Sequence, residues 1–479
     1  MERLGYRGQT PNAWVVGSGP NGLAGAVELS RGGLSVTVLE AAGEIGGGTR
    51  TSELTVPGVL HDHCSAVHPM AMASPFMRSL DLARHGLEWR WPEVDLAHPL
   101  DDGSAGVMMR SIEKTAHGLG PDGPAWKRLF GGPSETFESL LGDLMQPMLH
   151  LPRHPLRLTR FGVPALAPAT LIAKAWKGEQ ARALFGGVAA HALSPLTAPL
   201  SASVGMALTC SGHAFGWPVA HGGSRAITDA LAAELTERGG TIETGRRVAS
   251  LDELPRNDVV LLDLSPAGAA DVAGARLDPK VARAYRRYRH GPAAFKVDFA
   301  VEGGVPWTSE SCRRAGTVHT VGSFAETVAS EAEVNRGRMP ERPFVLVGQQ
   351  YLADPGRSAG DVHPVWAYAH VPNGWPGDET ETVIDQIERF APGFRDRIVA
   401  KVSWSPERFE DYNANFVGGD IIGGANTPLQ IAVRPRLAVN PYATGIPGVY
   451  MCSASTPPGA GAHGMNGYNA ARAALAGRD

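Results

Sequence analysis

Apolar runs and their spacing divide this chain into short elements. Residues 13–17, Ala-Trp-Val-Val-Gly, form a brief continuous apolar run, the pattern of a strand buried on both faces. A helix-like stretch over 23–30 follows a glycine turn, and beyond Gly32 and Gly33 the run Ser-Val-Thr-Val-Leu at 35–39 predicts a second strand. Further on, a Gly-Gly turn leads to an amphipathic helix over 226–238, a strand at 241–244 and a buried strand at 258–263. Near the far end, 449–453 predicts a strand, followed by a Pro/Gly loop and a helix starting near Asn466. Between these blocks 293–301 alternates as a strand does, and so does 344–350; together with 365–371 they predict a mixed sheet that floors a pocket. Residues 379–390 predict a short helix stopped before Pro392.

The first turn carries chemistry. Gly17-Ser-Gly19-Pro20-Asn-Gly22 joins the first strand to the first helix. In such a turn the first glycine permits tight chain reversal, the second lets backbone approach a pyrophosphate, and the third lets helix pack on strand. The helix N-terminus then offers free N–H groups and a positive dipole end to the phosphates. Glu40 ends the second strand, about 20 residues past the glycines, where an acid accepts hydrogen bonds from an adenosine ribose. An ordinary glycine-rich turn requires no such register of strand, glycines, helix, strand and acid.

Composition narrows the class. With 479 residues, 43% of them hydrophobic, the chain is long enough for two or three cored domains at roughly 100–200 residues each. Charged residues make up 19%, too balanced (44 basic, 48 acidic, net −4) for a dedicated nucleic-acid binder with a clustered basic face. Cys64, Cys210, Cys312 and Cys452 lie too far apart for a local zinc ribbon or redox dithiol. The opening MERLGYRGQTPN lacks a secretory pattern and no apolar run is long enough to span a bilayer, so the expected location is cytoplasmic. Residues 151–200 are rich in Leu, Ala and Pro, with Arg153, Arg157, Arg160, Lys174 and Lys177 interspersed. One reading is helices packed on the core with solvated basic edges; the other is a tunnel mouth or a patch peripheral to the membrane.

Past Glu40, the stretch Glu40-Ala-Ala-Gly-Glu-Ile-Gly46-Gly47-Gly48-Thr49-Arg50-Thr51 adds a second glycine cluster. Here the sequence resembles the FAD-dependent amine oxidase and phytoene desaturase superfamily. The resemblance implies FAD, with Glu40 on its ribose and Gly47, Gly48 and Arg50 along its diphosphate. Arg50 stands two positions later than the family's usual arginine. Residues 447–475 resemble the flavin-contacting end of phytoene dehydrogenase-related oxidoreductases. Gly459-Ala-Gly461-Ala-His463-Gly464 formally repeats GxGxxG, but only 15 residues follow, too few for a second Rossmann unit. The helix beginning at Gly464-Met465 is instead expected to aim its N–H groups at the flavin ring, whose reduced form is anionic. The resemblance further implies that Gly222-Gly223-Ser224 starts a return to the cofactor domain and that Val248 touches the adenine through backbone atoms. It also implies that the glycines of 410–424 bring the second sheet to the flavin face. The fold class expected is therefore α/β: a discontinuous Rossmann-like FAD-binding domain over 10–75, 215–270 and 440–479. A substrate domain of mixed sheet plus helices is expected over 76–214 and 271–439.

For chemistry, a dehydrogenase or desaturase is the leading expectation: hydride passes from a C–H of a hydrophobic substrate to flavin N5, and oxygen or a quinone reoxidises the flavin. An amine oxidase is the alternative, and would need an aromatic cage and a lysine–water pair by the flavin. A flavoprotein whose FAD is structural, acting as a binding partner, is a third. His463 is the candidate polar side chain beside the reactive end of the flavin, neutral to orient substrate or shuttle a proton, or charged to stabilise reduced flavin. The alternative is a histidine that serves loop geometry alone. His61, Asp62, His63, Cys64 and His68 form the one metal-like cluster, without a spaced partner motif, so no metal is expected. FAD is expected to be noncovalent, Cys64 and His68 being the nearby candidate tethers. No GxSxG elbow supports a serine nucleophile.

Overall fold

The computed structural model describes residues 12–148, 150–255 and 258–477; the opening eleven residues, where no secretory pattern is read, and residues 478–479 of the expected cofactor domain lie outside it. Two sheets organise the chain. The first has five parallel strands, Asn12–Val16, Ser35–Leu39, Thr241–Glu243, Val259–Leu262 and Val449–Met451 in chain order, arranged in space as third, second, first, fourth, fifth. That order makes a dinucleotide-binding sheet with its switch point beside the first strand. Each strand lies within two residues of the position its apolar run predicts.

Two helices lock this sheet. Pro20–Arg31 follows the first strand and Met465–Ala476 the last. They touch backbone to backbone: a Cβ on Gly467 would lie 1.7 Å from the carbonyl oxygen of Asn21. Only glycine fits there, and the contact draws the chain's last loop onto its first turn.

The second sheet has seven strands, in spatial order Ile398–Trp404, Ala293–Glu302, Val362–Val371, Val345–Gly348, Ala315–Thr320, Val94–Pro99 and Ala105–Met108. It is mixed, since Ala315–Thr320 pairs parallel with Val94–Pro99 and the other neighbours are antiparallel. The strands at 94–99 and 315–320 were not legible because they are buried on both faces yet carry Asp95, His98, Thr317 and His319, which masks any apolar run.

The alternation over 293–301 falls on strand Ala293–Glu302, and every residue from Ala293 to Val301 is buried. One face, Phe295, Val297 and Phe299, packs with Val383, Ile384 and Ile387 of helix Thr380–Glu388. The other buries Lys296 and Asp298, which hydrogen-bond to each other, beside Trp366, Tyr368 and Trp404. A cation beside an anion is what makes that face dry.

Residues 151–200 divide between core and surface. Phe161, Ala165 and Phe185 join the core, while Leu151, Leu156 and Val163 remain exposed beside Arg153, Arg157 and Arg160. No helix among the described residues is long and apolar enough to cross a membrane.

Arg357, 1% exposed, ties three segments together. It donates to Asp62 at 2.5 Å, to Asp354 at 3.0 Å and to the carbonyl of Ala220 at 2.6 Å. Asp62 also accepts from Ser224 N and Thr51 Oγ1, each at 2.7 Å. Removing one partner from a buried ion pair strands the others' charge. Arg357→Ala is therefore expected to lower the unfolding free energy by about 3–5 kcal/mol in urea titration. Arg90→Ala is the control: Arg90 reaches Asp354 from a solvated position at 3.5 Å, and its loss should leave the urea midpoint nearly unchanged.

Candidate dinucleotide site

The first glycine turn sits at the carboxyl end of the sheet. Gly17 has φ +105° and donates its N–H to the carbonyl of Leu39 at 2.8 Å, which fixes the turn against the second strand. A Cβ on Gly22 would lie 2.1 Å from the Gly17 carbonyl oxygen, so helix and turn close on each other only through glycine. Gly19 caps the helix and Pro20 opens it, where its missing N–H costs nothing.

Glu40 is held by this turn. Its Oε2 accepts from Ser18 N at 2.9 Å and Ser18 Oγ at 2.6 Å, and its Oε1 accepts from Ala42 N at 2.8 Å. A carboxylate has about four acceptor positions, so one remains for a ribose hydroxyl. Arg50 stands 3.8 Å from Glu40 but spends its donors elsewhere, on the carbonyls of Glu44 at 2.8 Å and Ile45 at 3.1 Å. Its guanidinium lies 5.0 Å from the ring centre of Tyr412, whose hydroxyl donates to the Gly47 carbonyl at 2.8 Å. The displaced arginine thus shapes the second glycine loop.

The two glycine loops touch. Gly46 N donates to the Ser18 carbonyl at 3.1 Å, and a Cβ on Gly47 would lie 3.0 Å from Gly19 Cα. Gly48 faces Cys64 and Phe416, at 3.7 and 3.1 Å from where its Cβ would be. Val248 packs its side chain with Val16 and Leu39, and nearby Arg246 N donates to the Glu40 carbonyl at 2.8 Å. A small glycine-walled cradle beside an oriented carboxylate, Glu40, suits a dinucleotide diphosphate and its ribose.

The last loop meets the first helix. Gly464 has φ +70°, and its Cβ would come 2.7 Å from that of Ala24. His463 is buried, with both ring nitrogens used within its own loop: Met465 N donates to Nδ1 at 3.1 Å, so Nε2 carries the proton and faces the Ala460 carbonyl at 3.2 Å. Burial pushes its pKa down to about 4, against that carbonyl, so the ring is neutral at neutral pH. The structure therefore favours the uncharged form, turned toward backbone.

The cluster at 61–68 points several ways. His61 bonds Thr55 Oγ1 at 2.8 Å and faces Asp298 at 3.5 Å; His63 bonds Ser52 Oγ at 2.7 Å; His68 bonds Ser224 Oγ at 2.8 Å. Burial pushes the Cys64 thiol up to about 12, which leaves it protonated.

Several residues around this cradle carried no local signal. Lys296 lies 5.6 and 6.0 Å from the ring centres of Trp404 and Trp366. Asp298 accepts from Trp404 Nε1 at 3.0 Å. Burial opposes its charge, but Lys296 and His61 hold its carboxyl below the usual range. On the same sheet face, His319 Nε2 meets His191 Nε2 at 3.0 Å, and His370 bonds Glu331 at 2.6 Å. Burial drives the pKa of His191 to about 3 and that of His319 well below the ordinary value, so both are neutral. The segment 410–424 forms helix Pro406–Tyr412 and turns; Asn415 ties it to the cofactor sheet, accepting from Ser265 N at 2.7 Å and donating to the Asp263 carbonyl at 2.8 Å.

Known proteins resemble this chain in sequence and fold. A family model of an NAD(P)-binding Rossmann-like domain matches residues 15–80. Pyridine nucleotide-disulfide oxidoreductase domain-containing protein 2 of Mus musculus is 24% identical, across 96% of this chain and 92% of that protein. An oxidoreductase from Methanosarcina mazei superposes with TM-score 0.64 at 15% identity, over 96% of this chain and 98% of that one. Wild-type putrescine oxidase bound to putrescine superposes with TM-score 0.60 at 14% identity, over 98% and 99%. Together with the strand order, these likenesses identify the architecture: a Rossmann-type unit joined to a mixed-sheet domain, the fold shared with the Methanosarcina mazei oxidoreductase and putrescine oxidase.

Proposed function

We propose that this chain is an FAD-dependent oxidoreductase of the phytoene dehydrogenase-like kind, taking hydride from a C–H of a hydrophobic substrate. The observation that carries this reading is the junction of the second glycine loop with an apolar wall. Gly48 abuts Cys64 and Phe416, and these belong to one buried cluster with Ala66, Ala190, Phe344, Leu346, Trp366 and Tyr368. Bound FAD supplies a hydride acceptor at its flavin N5, reoxidised by oxygen or a quinone. The chain's residues do the rest. Glu40 binds ribose, Gly17, Gly19, Pro20 and Gly22 admit the diphosphate, and Gly47, Gly48 and Arg50 form its second wall. Val248 flanks the adenine, while Gly464 and Met465 begin the helix facing the flavin ring. His463 acts through Met465 N, which it accepts, and so orients that helix start.

A second reading, amine oxidation, is favoured by Lys296 between Trp366 and Trp404 and by the fold shared with putrescine oxidase. Anaerobic stopped-flow mixing separates the two. Hydrophobic polyene or alicyclic compounds should bleach the flavin spectrum, and amines should not. Bleaching by amines, with peroxide release in air, would establish the second reading instead, and bleaching by neither would leave FAD structural. In the same traces, His463→Ala should retain FAD; a reduction rate lowered about 10²-fold means acid–base help, and an unchanged rate leaves His463 as scaffold.

Glu40→Ala should weaken FAD binding about 10- to 150-fold, the value of a charge-assisted hydrogen bond of roughly 1.5–3 kcal/mol. Fluorescence titration checks it, and equal curves would remove Glu40 from the site.

Exposed Leu151, Leu156 and Val163 beside Arg153, Arg157 and Arg160 support peripheral contact with an anionic membrane, a source of apolar substrate. Co-sedimentation with phosphatidylserine vesicles should be lost in Leu156→Glu and absent with phosphatidylcholine; equal sedimentation of both would refute it.

A further inference from the structure

A second carboxylate, that of Asp263, faces the same cradle. Asp263 directly follows strand Val259–Leu262, and its N–H donates to the Val16 carbonyl at 2.8 Å. Its side chain turns into the first glycine loop. Oδ2 accepts from Gly22 N at 3.0 Å, so the acid occupies a donor of the first helix's N-terminus. Cβ atoms built on Gly17, Gly19 and Gly22 would each lie 3.0 Å from Asp263 atoms. All three glycines that admit a diphosphate therefore border this one carboxyl.

The surroundings favour its proton. Burial comes first and pushes its pKa up to about 7; Glu40 adds to the rise, and the Gly22 N–H opposes it. From the last strand's side, buried Cys452 faces it as a thiol kept protonated by burial and by Asp263 itself. From 410–424, Asn415 reaches only its backbone carbonyl.

The geometry points to Asp263 as a charge gate on the cofactor site: its carboxylate competes with the dinucleotide diphosphate for the helix N-terminus, and the diphosphate binds when Asp263 is protonated. The step balances as carboxylate plus one solvent proton plus FAD giving the neutral acid with FAD bound. The neutral carboxyl can then donate its O–H to a phosphate oxygen. The inference rests on the dinucleotide reading above. The sign follows from linkage. At pH values where free Asp263 is already neutral, affinity does not depend on its titration. Above that range, each unit of pH lowers affinity about tenfold while the bound acid stays protonated.

The test is FAD titration of the full chain by fluorescence, with calorimetry at pH 8 in two buffers of different ionisation enthalpy. Wild type should lose about tenfold in affinity between pH 7.5 and 8.5 and take up close to one proton on binding. Asp263→Asn should bind at pH 8.5 more tightly than wild type, with a flat pH profile and no uptake. Equal slopes for the two proteins, or no proton uptake by wild type, would overturn the gate while leaving the dinucleotide reading intact. Should Asp263→Asn fail to fold, the wild-type proton count decides alone. If wild type binds neither FAD nor NAD at any pH, the dinucleotide reading fails and the gate with it.

Discussion

The contact between the first and last helices is the constraint from which the site follows. Gly467 presses on the carbonyl of Asn21, and Gly464 lies against Ala24 and Phe76, so Pro20–Arg31 and Met465–Ala476 meet without intervening side chains. Close backbone approach of this kind tolerates no Cβ, and packed interiors yield little to added volume. It also fixes distance. Because the two helices touch, the loop ending at Gly464 is brought beside the turn beginning at Gly17, though more than 400 residues separate them. The hydroxyl of Ser74 donates to the His463 carbonyl at 2.7 Å and pins that loop from the outside.

Buried charge does the corresponding work between the two sheets. Asp62 belongs to a short strand after the second glycine loop, Ser224 opens the return to the first sheet, and Arg357 ends a short turn between strands Val345–Gly348 and Val362–Val371 of the second. A bidentate guanidinium spanning Asp62 and Asp354 specifies geometry as well as charge balance. Lys296 and Asp298 solve the same problem on the sheet face opposite helix Thr380–Glu388, where two charges share a wall of Trp366, Tyr368 and Trp404. Pairs like these add little net stability over apolar residues, but breaking one is costly, so they enforce a single arrangement.

Burial also decides which groups are charged. His191, His319 and His463 are all held neutral by desolvation, and Cys64 keeps its proton. Glu40 is satisfied by three donors at the turn, whereas Asp263 has a single N–H from Gly22 on its carboxylate. The site therefore combines neutral imidazoles with two acids in very different surroundings, one held by three donors and the other buried against the first glycine turn.

The sequence by itself determined the parallel sheet and its first turn. Asn12–Val16, Ser35–Leu39 and Val259–Leu262 are short apolar runs, and the glycines and Glu40 between them are tied together by hydrogen bonds reaching no further than about one βαβ unit. Local patterns are legible when the forces that select them are local. Lys296, Asp298, Arg357 and Asp263 are the opposite case. Each looks like an ordinary charged residue in its own segment, and each acquires its role from a partner or a desolvating wall supplied by another. Asp263 meets Gly22 across 241 residues, and Arg357 meets Asp62 across 295. Charge buried by distant chain leaves no periodicity to read, because its energy depends on what surrounds it rather than on its neighbours in sequence. The tertiary structure alone therefore decided which charges are paired, which side chains are neutral and which acid borders the three glycines of the first turn.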